Sequence, residues 1–122
     1  MSRPAKFSLA AAFACAGRGL WLMTKGRNGR LQIGMAMIAI ATGVTLRIDR
    51  GEWLAIVLSI AMVLALETVN TGLERAVDLV SPGYDDLARD AKDLAAGAVL
   101  IASVASVVVG LIVFLPKIAR FL

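Results

Sequence analysis

The stretch LAAGAVLIASVASVVVGLIVFLP, residues 94–116, contains no charged side chain. A helix needs about 20 consecutive, mainly apolar residues to cross the hydrocarbon core of a bilayer, and this stretch exceeds that length. Two further apolar stretches precede it, the first extendable to residue 48 and the second running from Trp53 through Leu66. The sequence therefore predicts a single membrane domain, residues 1–122, with three transmembrane helices at residues 31–48, 53–79 and 93–116.

The composition of the 122-residue chain supports this class. Hydrophobic residues make up 59% of the chain, charged residues 18% and aromatic residues 6%, a balance that argues against a disordered tail or an ordinary soluble enzyme. The absence of histidine excludes imidazole general bases and histidine-ligated metals. The single Cys15 can form neither an internal disulfide nor a zinc cluster. The predicted fold class is an all-α membrane protein.

Two polar segments separate the predicted spans. The first, residues 47–52, is a short turn in which Gly51 is expected to break the helix. The second is longer and has Ser81, Pro82 and Gly83 at its centre, where one helix is expected to end before the next begins.

Basic residues dominate the N-terminal part of the chain, since residues 1–48 contain lysines and arginines but no acid. Without interleaved aromatic residues, this pattern favours binding to anionic lipid headgroups over binding to nucleic acid. Residues 1–28 are predicted to form a surface segment with an amphipathic helix at the membrane interface. An alternative, a signal peptide with a cleavage site at residues 14–16, would place the basic patch outside the membrane. The positive-inside rule opposes that placement and favours a cytoplasmic N-terminus and an external C-terminus.

A row of polar side chains follows one face of the second predicted helix. At about 100° per residue, Glu74 and Asp78 lie about 20° to either side of Glu67, with Asn70 and Thr71 between them. An ionised carboxylate among lipid tails costs about 2.5–3.5 kcal/mol, so intramembrane acids are commonly functional. The row predicts a site that a lipid headgroup and a water-soluble cosubstrate both reach. Two alternatives remain open: Glu67 pairs with a basic residue of a neighbouring helix, or it belongs to a proton- or ion-conducting bundle.

The segment RDAKDLAAG, residues 89–97, marks the predicted cytoplasmic start of the third span. Free backbone N–H groups and the positive end of the helix dipole make such a start a site for phosphate. Lys92 would add a point charge, and Asp93 would cap the helix or help to hold a cation. The alternative is an ordinary capped helix end without a ligand.

Two motifs resemble those of a known family: ETVNTGLERAVD at residues 67–78 and, after Tyr84, AKDLAAGAVL at residues 91–100. Together with their spacing, they resemble the prokaryotic diacylglycerol kinase family, which includes the undecaprenol kinases. The resemblance extends over about residues 27–117 and is most specific between residues 66 and 100. Thr71 and residues 95–100 look closer to the undecaprenol kinases, although these residues do not separate the two substrates.

The resemblance implies a homotrimer of three-span subunits in the bacterial cytoplasmic membrane, with active sites at subunit contacts. It also implies transfer of the γ-phosphate of MgATP to the hydroxyl of a membrane lipid alcohol, either diacylglycerol or undecaprenol. In this pattern Glu67 is the catalytic base beside the lipid substrate, Asn70 helps to position it, and Glu74 binds the magnesium ion and ATP. The other ATP-binding residues that the resemblance implies are Asp78, Tyr84, Lys92 and Asp93.

Two departures from the family pattern concern the metal and the nucleotide. The family carries a second metal-binding glutamate before the first span, in a Glu-Arg-Asn pattern, where this sequence has GRN at residues 26–28. The family's Glu-Tyr-His is likewise replaced by GYD at residues 83–85. Because Mg²⁺ usually keeps several waters, a site with fewer protein oxygens can still bind it. The alternative function is a catalytically lapsed, lipid-binding membrane trimer of the same fold.

Overall fold

Four α-helices make up most of residues 8–122, the part of the chain that the computed structural model describes. No strand occurs among these residues, which confirms the all-α prediction. Arg3 and Lys6, the first basic residues of the predicted surface segment, lie outside the described part. In chain order the helices are α1 (Leu9–Met23), α2 (Arg27–Leu46), α3 (Arg50–Val80) and α4 (Asp86–Ala119).

Three of these helices, α2 to α4, are long and apolar enough to cross a membrane. The predicted spans at residues 53–79 and 93–116 fall inside α3 and α4, which extend beyond them. The span predicted at residues 31–48 overruns α2, which ends at Leu46. The segment predicted at residues 1–28 is likewise divided, because α1 ends at Met23 and α2 already begins at Arg27.

The turn between α2 and α3 is built by Arg47 and Asp49. Arg47 adopts a left-handed conformation with a φ of 53°, and the N–H of Ile48 donates back to α2 at 3.2 Å, which ends that helix. The Asp49 carboxylate accepts a hydrogen bond from the N–H of Glu52 at 2.8 Å and so starts α3. This hydrogen bond also lowers the pKa of Asp49 below its ordinary value. Gly51 therefore lies inside α3, and the expectation that it breaks the helix is wrong.

An apolar cluster and an ion pair close the bundle beside this turn. Ile48, Ile56 and Val113 are buried together in the cluster. The Nζ atom of Lys117 lies 3.1 Å from Oε1 of Glu52 and joins the end of α4 to the start of α3. The contact between these two helices is the most extensive in the described chain, and it positions their polar ends beside each other at the other side of the bundle.

The packing of α1 against the start of α2 depends on Gly29. Met23, the last residue of α1, is buried against it. A Cβ atom added at residue 29 would lie 2.8 Å from the Met23 sulfur and still closer to the Met23 backbone carbonyl. Only glycine leaves room for this approach, because a backbone atom cannot turn aside as a flexible side chain can.

Large apolar side chains of α2 to α4 remain exposed in the single chain. Examples are Leu31 and Ile38 on α2, Leu58 on α3, and Leu100 and Ile112 on α4. Soluble monomers rarely expose contiguous apolar surface of this extent. These faces are suited to contact with lipid or with further protein.

Candidate active site

The polar face of α3 has the geometry that the sequence predicts. Because α3 runs without interruption to Val80, Glu67, Glu74 and Asp78 lie on one continuous helix, at positions that share a face. Glu67 is only 4% exposed and Asn70 only 5%, so the middle of this face is buried in the single chain. Thr71 contributes less to the polar character of this face than expected, because its hydroxyl donates to the backbone carbonyl of Glu67 at 2.9 Å.

The Glu67 carboxylate lies in this buried part of the face without an ion-pair partner from the described chain. The ion pairs found among residues 8–122 use the carboxylates of Glu52, Asp78 and Asp93. The hypothesis that Glu67 is neutralised by a basic residue of a neighbouring helix thus finds no partner in that part of the subunit. A buried carboxylate without a cation costs free energy, which favours a functional role for Glu67.

Asn70 presents an unsatisfied oxygen to the same face. Its Nδ2 donates to Oε1 of Glu74 at 3.4 Å, while its Oδ1 is buried and has no hydrogen-bond partner. A buried acceptor left without a partner costs about 1–3 kcal/mol, so this oxygen is suited to accept a hydrogen bond from a ligand or a water.

The carboxylate chemistry of this face is suited to coordinating a magnesium ion. Mg²⁺ takes carboxylate and amide oxygens, commonly one or two from the protein with waters and substrate phosphates completing the shell. The Glu74 carboxylate supplies such oxygens, and its Oε1 also accepts the hydrogen bond from Nδ2 of Asn70. Within residues 8–122 no cluster of three or more cysteine, aspartate or glutamate side chains is formed.

Near the end of α3, an open pocket of about 270 Å³ brings together four of the predicted ATP-binding residues. Asp78 from α3 and Lys92 from α4 both line it, with Oδ1 and Nζ 2.5 Å apart. Tyr84 lies on the connecting loop and is exposed, and its hydroxyl donates to Oδ1 of Asp86 at 2.8 Å. Asp93 lines the same pocket from α4.

The predicted phosphate site at the start of the third span needs a correction. The helix starts at Asp86, and the Asp85 carboxylate caps it by accepting from the N–H of Ala88 at 3.0 Å. Lys92 and Asp93 consequently lie about two turns inside α4, where backbone N–H groups are already bonded within the helix. The expectation that Asp93 caps the helix is wrong, because an earlier aspartate with extended backbone geometry performs that role.

Arg89 is a pocket residue that the sequence-based prediction did not include. It lies one turn before Asp93, with Nε 3.8 Å from Oδ2 of that residue, and it lines the pocket with Lys92. Arg89 and Lys92 are three residues apart, and residues at that spacing share a helix face. The spacing could have indicated that Arg89 lines the pocket, provided that α4 is known to begin before residue 89.

Comparison with known proteins identifies one family to which this sequence is similar. The sequence profile of the family described as prokaryotic diacylglycerol kinase matches residues 14–114, which contain every predicted site residue. The chain belongs to this family. Its membership, together with the three apolar helices, makes it a bacterial membrane protein.

Several curated relatives match over much of their length. The chain is 38% identical over 107 residues to the undecaprenol kinase of Bacillus subtilis, covering 87% of each chain. It is 40% identical over 91 residues to the diacylglycerol kinase of Synechocystis sp., covering 74% of this chain and 52% of the relative. It is 31% identical over 78 residues to the diacylglycerol kinase of Escherichia coli K12, covering 63% and 64%. The family thus contains relatives named for two different lipid alcohols.

Proposed function

We propose that this member of the family transfers the γ-phosphate of ATP to the hydroxyl of a membrane lipid alcohol. The observation that carries the proposal is the arrangement along α3. A buried acid without an ion-pair partner in the described chain, Glu67, lies on the same helix face as Asp78, which lines the open polar pocket. A lipid hydroxyl can approach Glu67 from the membrane, while a nucleotide can enter the polar pocket from water.

The roles follow from the chemistry of each side chain. Glu67 accepts the proton of the lipid hydroxyl as that oxygen bonds to the γ-phosphorus and the bond from this phosphorus to the departing ADP breaks. The Asn70 amide orients the reacting groups. Lys92, which lines the pocket, neutralises part of the negative charge of the ATP phosphates. Tyr84 and Asp93 contact the nucleotide. When bound, Mg²⁺ would be held by Glu74, and it would neutralise charge on the phosphate oxygens.

The proposal includes the assembly and its placement in the membrane. Exposed Phe13 and Trp21 on α1, with Lys25 stacked 4.3 Å from the Trp21 ring centre, suit a helix at the interface with anionic lipid. The exposed apolar faces of α2 to α4 suit a homotrimer surrounded by lipid. We propose a cytoplasmic N-terminus and an external C-terminus, because most basic residues then lie inside.

The test is transfer of labelled phosphate from MgATP to lipid by the purified protein in mixed micelles, with undecaprenol and diacylglycerol supplied separately. Undecaprenol is the first acceptor to test, because the match to the undecaprenol kinase covers 87% of both chains. Incorporation into either lipid supports the proposal, and the ratio of the two identifies the acceptor. A folded protein that labels neither lipid contradicts it.

A second candidate function, a lapsed lipid-binding trimer, is favoured by the small number of metal ligands. No acid occurs before Asp49 in the sequence, and no cluster of three ligand side chains forms within residues 8–122. Gly26, which occupies the position of the family's glutamate, has a φ of −80°, and a Cβ there would meet only the Met23 carbonyl at 3.8 Å. A Cβ atom at this position therefore makes only an ordinary contact.

We expect Gly26→Glu to fold normally and to lower the Mg²⁺ concentration that gives half-maximal phosphate transfer, because an added carboxylate increases affinity for a hard cation. The measurement is a magnesium titration at saturating lipid and ATP. Gly26→Gln is the matched control, since it has the same length without the charge. Equal magnesium dependence of both variants and the wild type would show that the missing glutamate is not what limits metal binding.

Lys92→Met is expected to raise the KM for MgATP about tenfold or more, while leaving the melting temperature nearly unchanged. A charge-assisted contact with phosphate is worth about 1.5–3 kcal/mol, whereas an exposed ion pair such as that with Asp78 contributes only about 0–1 kcal/mol. Steady-state kinetics at varied ATP concentration measures the KM for MgATP. Lys117→Met, which breaks the ion pair with Glu52 at the other end of the bundle, should leave this KM unchanged. Similar KM values for all three proteins would remove Lys92 from the nucleotide site.

A further inference from the structure

Arg89 is a basic residue of the polar pocket that none of the proposed steps uses. It lines the pocket from the first turns of α4, one helical turn before Lys92. Within the described part of the chain, the charged residues that line the pocket are two cations and three carboxylates: Arg89, Lys92, Asp78, Asp85 and Asp93. A chain of phosphates that enters this pocket therefore needs more positive charge than Lys92 alone supplies.

The two cations differ in how closely they are paired within the subunit. Nζ of Lys92 lies 2.5 Å from Oδ1 of Asp78, so much of its charge is already balanced. Nε of Arg89 lies 3.8 Å from Oδ2 of Asp93, which is longer than a hydrogen bond, and 67% of the arginine side chain is exposed. No other acid among residues 8–122 forms an ion pair with this guanidinium. Arg89 is therefore the cation of the pocket that is more available to a ligand.

The guanidinium group is suited to a phosphate ligand. Its N–H donors form a planar fork that can bind two oxygens of one phosphate or of neighbouring phosphates, whereas the ammonium group of a lysine acts as a point charge. In the nucleotide of the proposed reaction, only the phosphate chain offers anionic oxygens in that arrangement.

The order of residues along α3 and α4 indicates which phosphates lie beside Arg89. The two helices pack side by side and are joined by a short loop at residues 81–85, so they run in opposite directions. Asp78, the partner of Lys92, lies about three turns beyond Glu67 along α3. Arg89 precedes Lys92 on α4 and lies about 4.5 Å farther still from Glu67 along the helix axis. Lys92 is therefore closer to the proposed base than Arg89 is.

The phosphate that is transferred has to face the lipid hydroxyl at Glu67, so the rest of the nucleotide extends away from it, toward the loop that carries Tyr84. We propose that Arg89 binds the α- and β-phosphates of ATP, which remain on ADP after transfer, and that Lys92 lies nearer to the transferred phosphate. The inference rests on the proposed function for the identity of the nucleotide and for its direction in the site. Such a contact is equally strong before and after transfer, so it contributes to binding rather than to the rate of the chemical step.

The test compares ATP and ADP binding to the wild type and to Arg89→Met, which removes the N–H donors and keeps an unbranched side chain. Both dissociation constants are expected to rise by the same factor, about tenfold at low salt, because a charge-assisted contact is lost from both complexes. The KM for MgATP should rise likewise while kcat stays nearly unchanged. The loss should become smaller at high salt, which screens an exposed ionic contact. Titration calorimetry of the full chain in neutral detergent micelles gives the dissociation constants.

Two further variants separate a phosphate contact from a general effect of charge. Arg75→Met is the matched control, because Arg75 is an exposed arginine near the same end of the bundle and does not line the pocket. It should leave both dissociation constants nearly unchanged. Arg89→Lys keeps the charge without the fork and should recover only part of the affinity. An equal loss in Arg75→Met, or a loss of affinity for ATP without a loss for ADP, would overturn the inference.

Failure of this inference and failure of the proposed function give different results. Unchanged nucleotide binding in a folded Arg89→Met protein that still transfers phosphate would overturn the inference and leave the proposed function standing. A wild type that binds ATP and ADP but labels no lipid contradicts the proposed function, and its comparison with Arg89→Met still decides the role of the arginine. A wild type that binds neither nucleotide contradicts both. An effect of Arg89→Met that appears only when anionic lipid is added would assign the arginine to lipid headgroups and overturn the inference.

Discussion

Glu67→Gln is expected to reduce phosphate transfer by a factor of about 10²–10⁴, the range over which a positioned general base contributes to turnover. The amide has the size of the carboxylate and fits the same buried position, but it cannot accept the proton of the lipid hydroxyl. No ion pair to Glu67 occurs among residues 8–122, so the substitution leaves no partner charge of that region uncompensated. The protein should therefore fold and assemble like the wild type while kcat falls.

The matched control is Glu52→Gln, a second Glu-to-Gln change on α3 but at the opposite end of the helix. Glu52 pairs with Lys117 and contributes to the capping of α3, so its loss should lower thermal stability and leave turnover nearly unchanged. Turnover and melting temperature measured for both variants separate catalysis from folding. Near-wild-type turnover of Glu67→Gln would remove Glu67 from the role of base.

The second large effect is structural and concerns Gly29. Gly29→Ala is expected to destabilise the protein by about 1–3 kcal/mol, the usual range for overpacking, because the added Cβ collides with the backbone of Met23. The backbone of Gly29 is in an ordinary helical conformation, so the loss is purely steric. Thermal unfolding in detergent micelles, followed by helical circular dichroism, measures the change.

Gly34→Ala provides a control with the opposite expected sign. Gly34 lies on the same helix, and a Cβ there meets no atom of the described chain within 4 Å. Glycine within a helix is about 0.5–1 kcal/mol less favourable than alanine, so this variant should be slightly more stable than the wild type. If both variants lose stability equally, the contact between α1 and α2 is not the cause.

The candidate site shows which structural features can be inferred from a single segment of sequence and which cannot. The shared face of Glu67, Asn70 and Glu74 follows from helical periodicity within a single element, and the structure has it. The start of α4 cannot be inferred in the same way. Several polar residues precede Leu94, and any of them could be the residue at which the helix begins. The Asp85 cap selects the start, and this moves Lys92 and Asp93 from a helix terminus into the helix.

The helical class, the three apolar spans and the polar face of α3 follow from the order of residues along the chain, since hydropathy and periodicity are properties of neighbouring residues. Which residues from different helices meet depends on how the helices pack. Asp78 and Lys92 are 14 positions apart and pair only because α3 and α4 pack side by side. The close approach of Met23 to Gly29 arises in the same way, from the packing of helices against one another, which no single helix specifies.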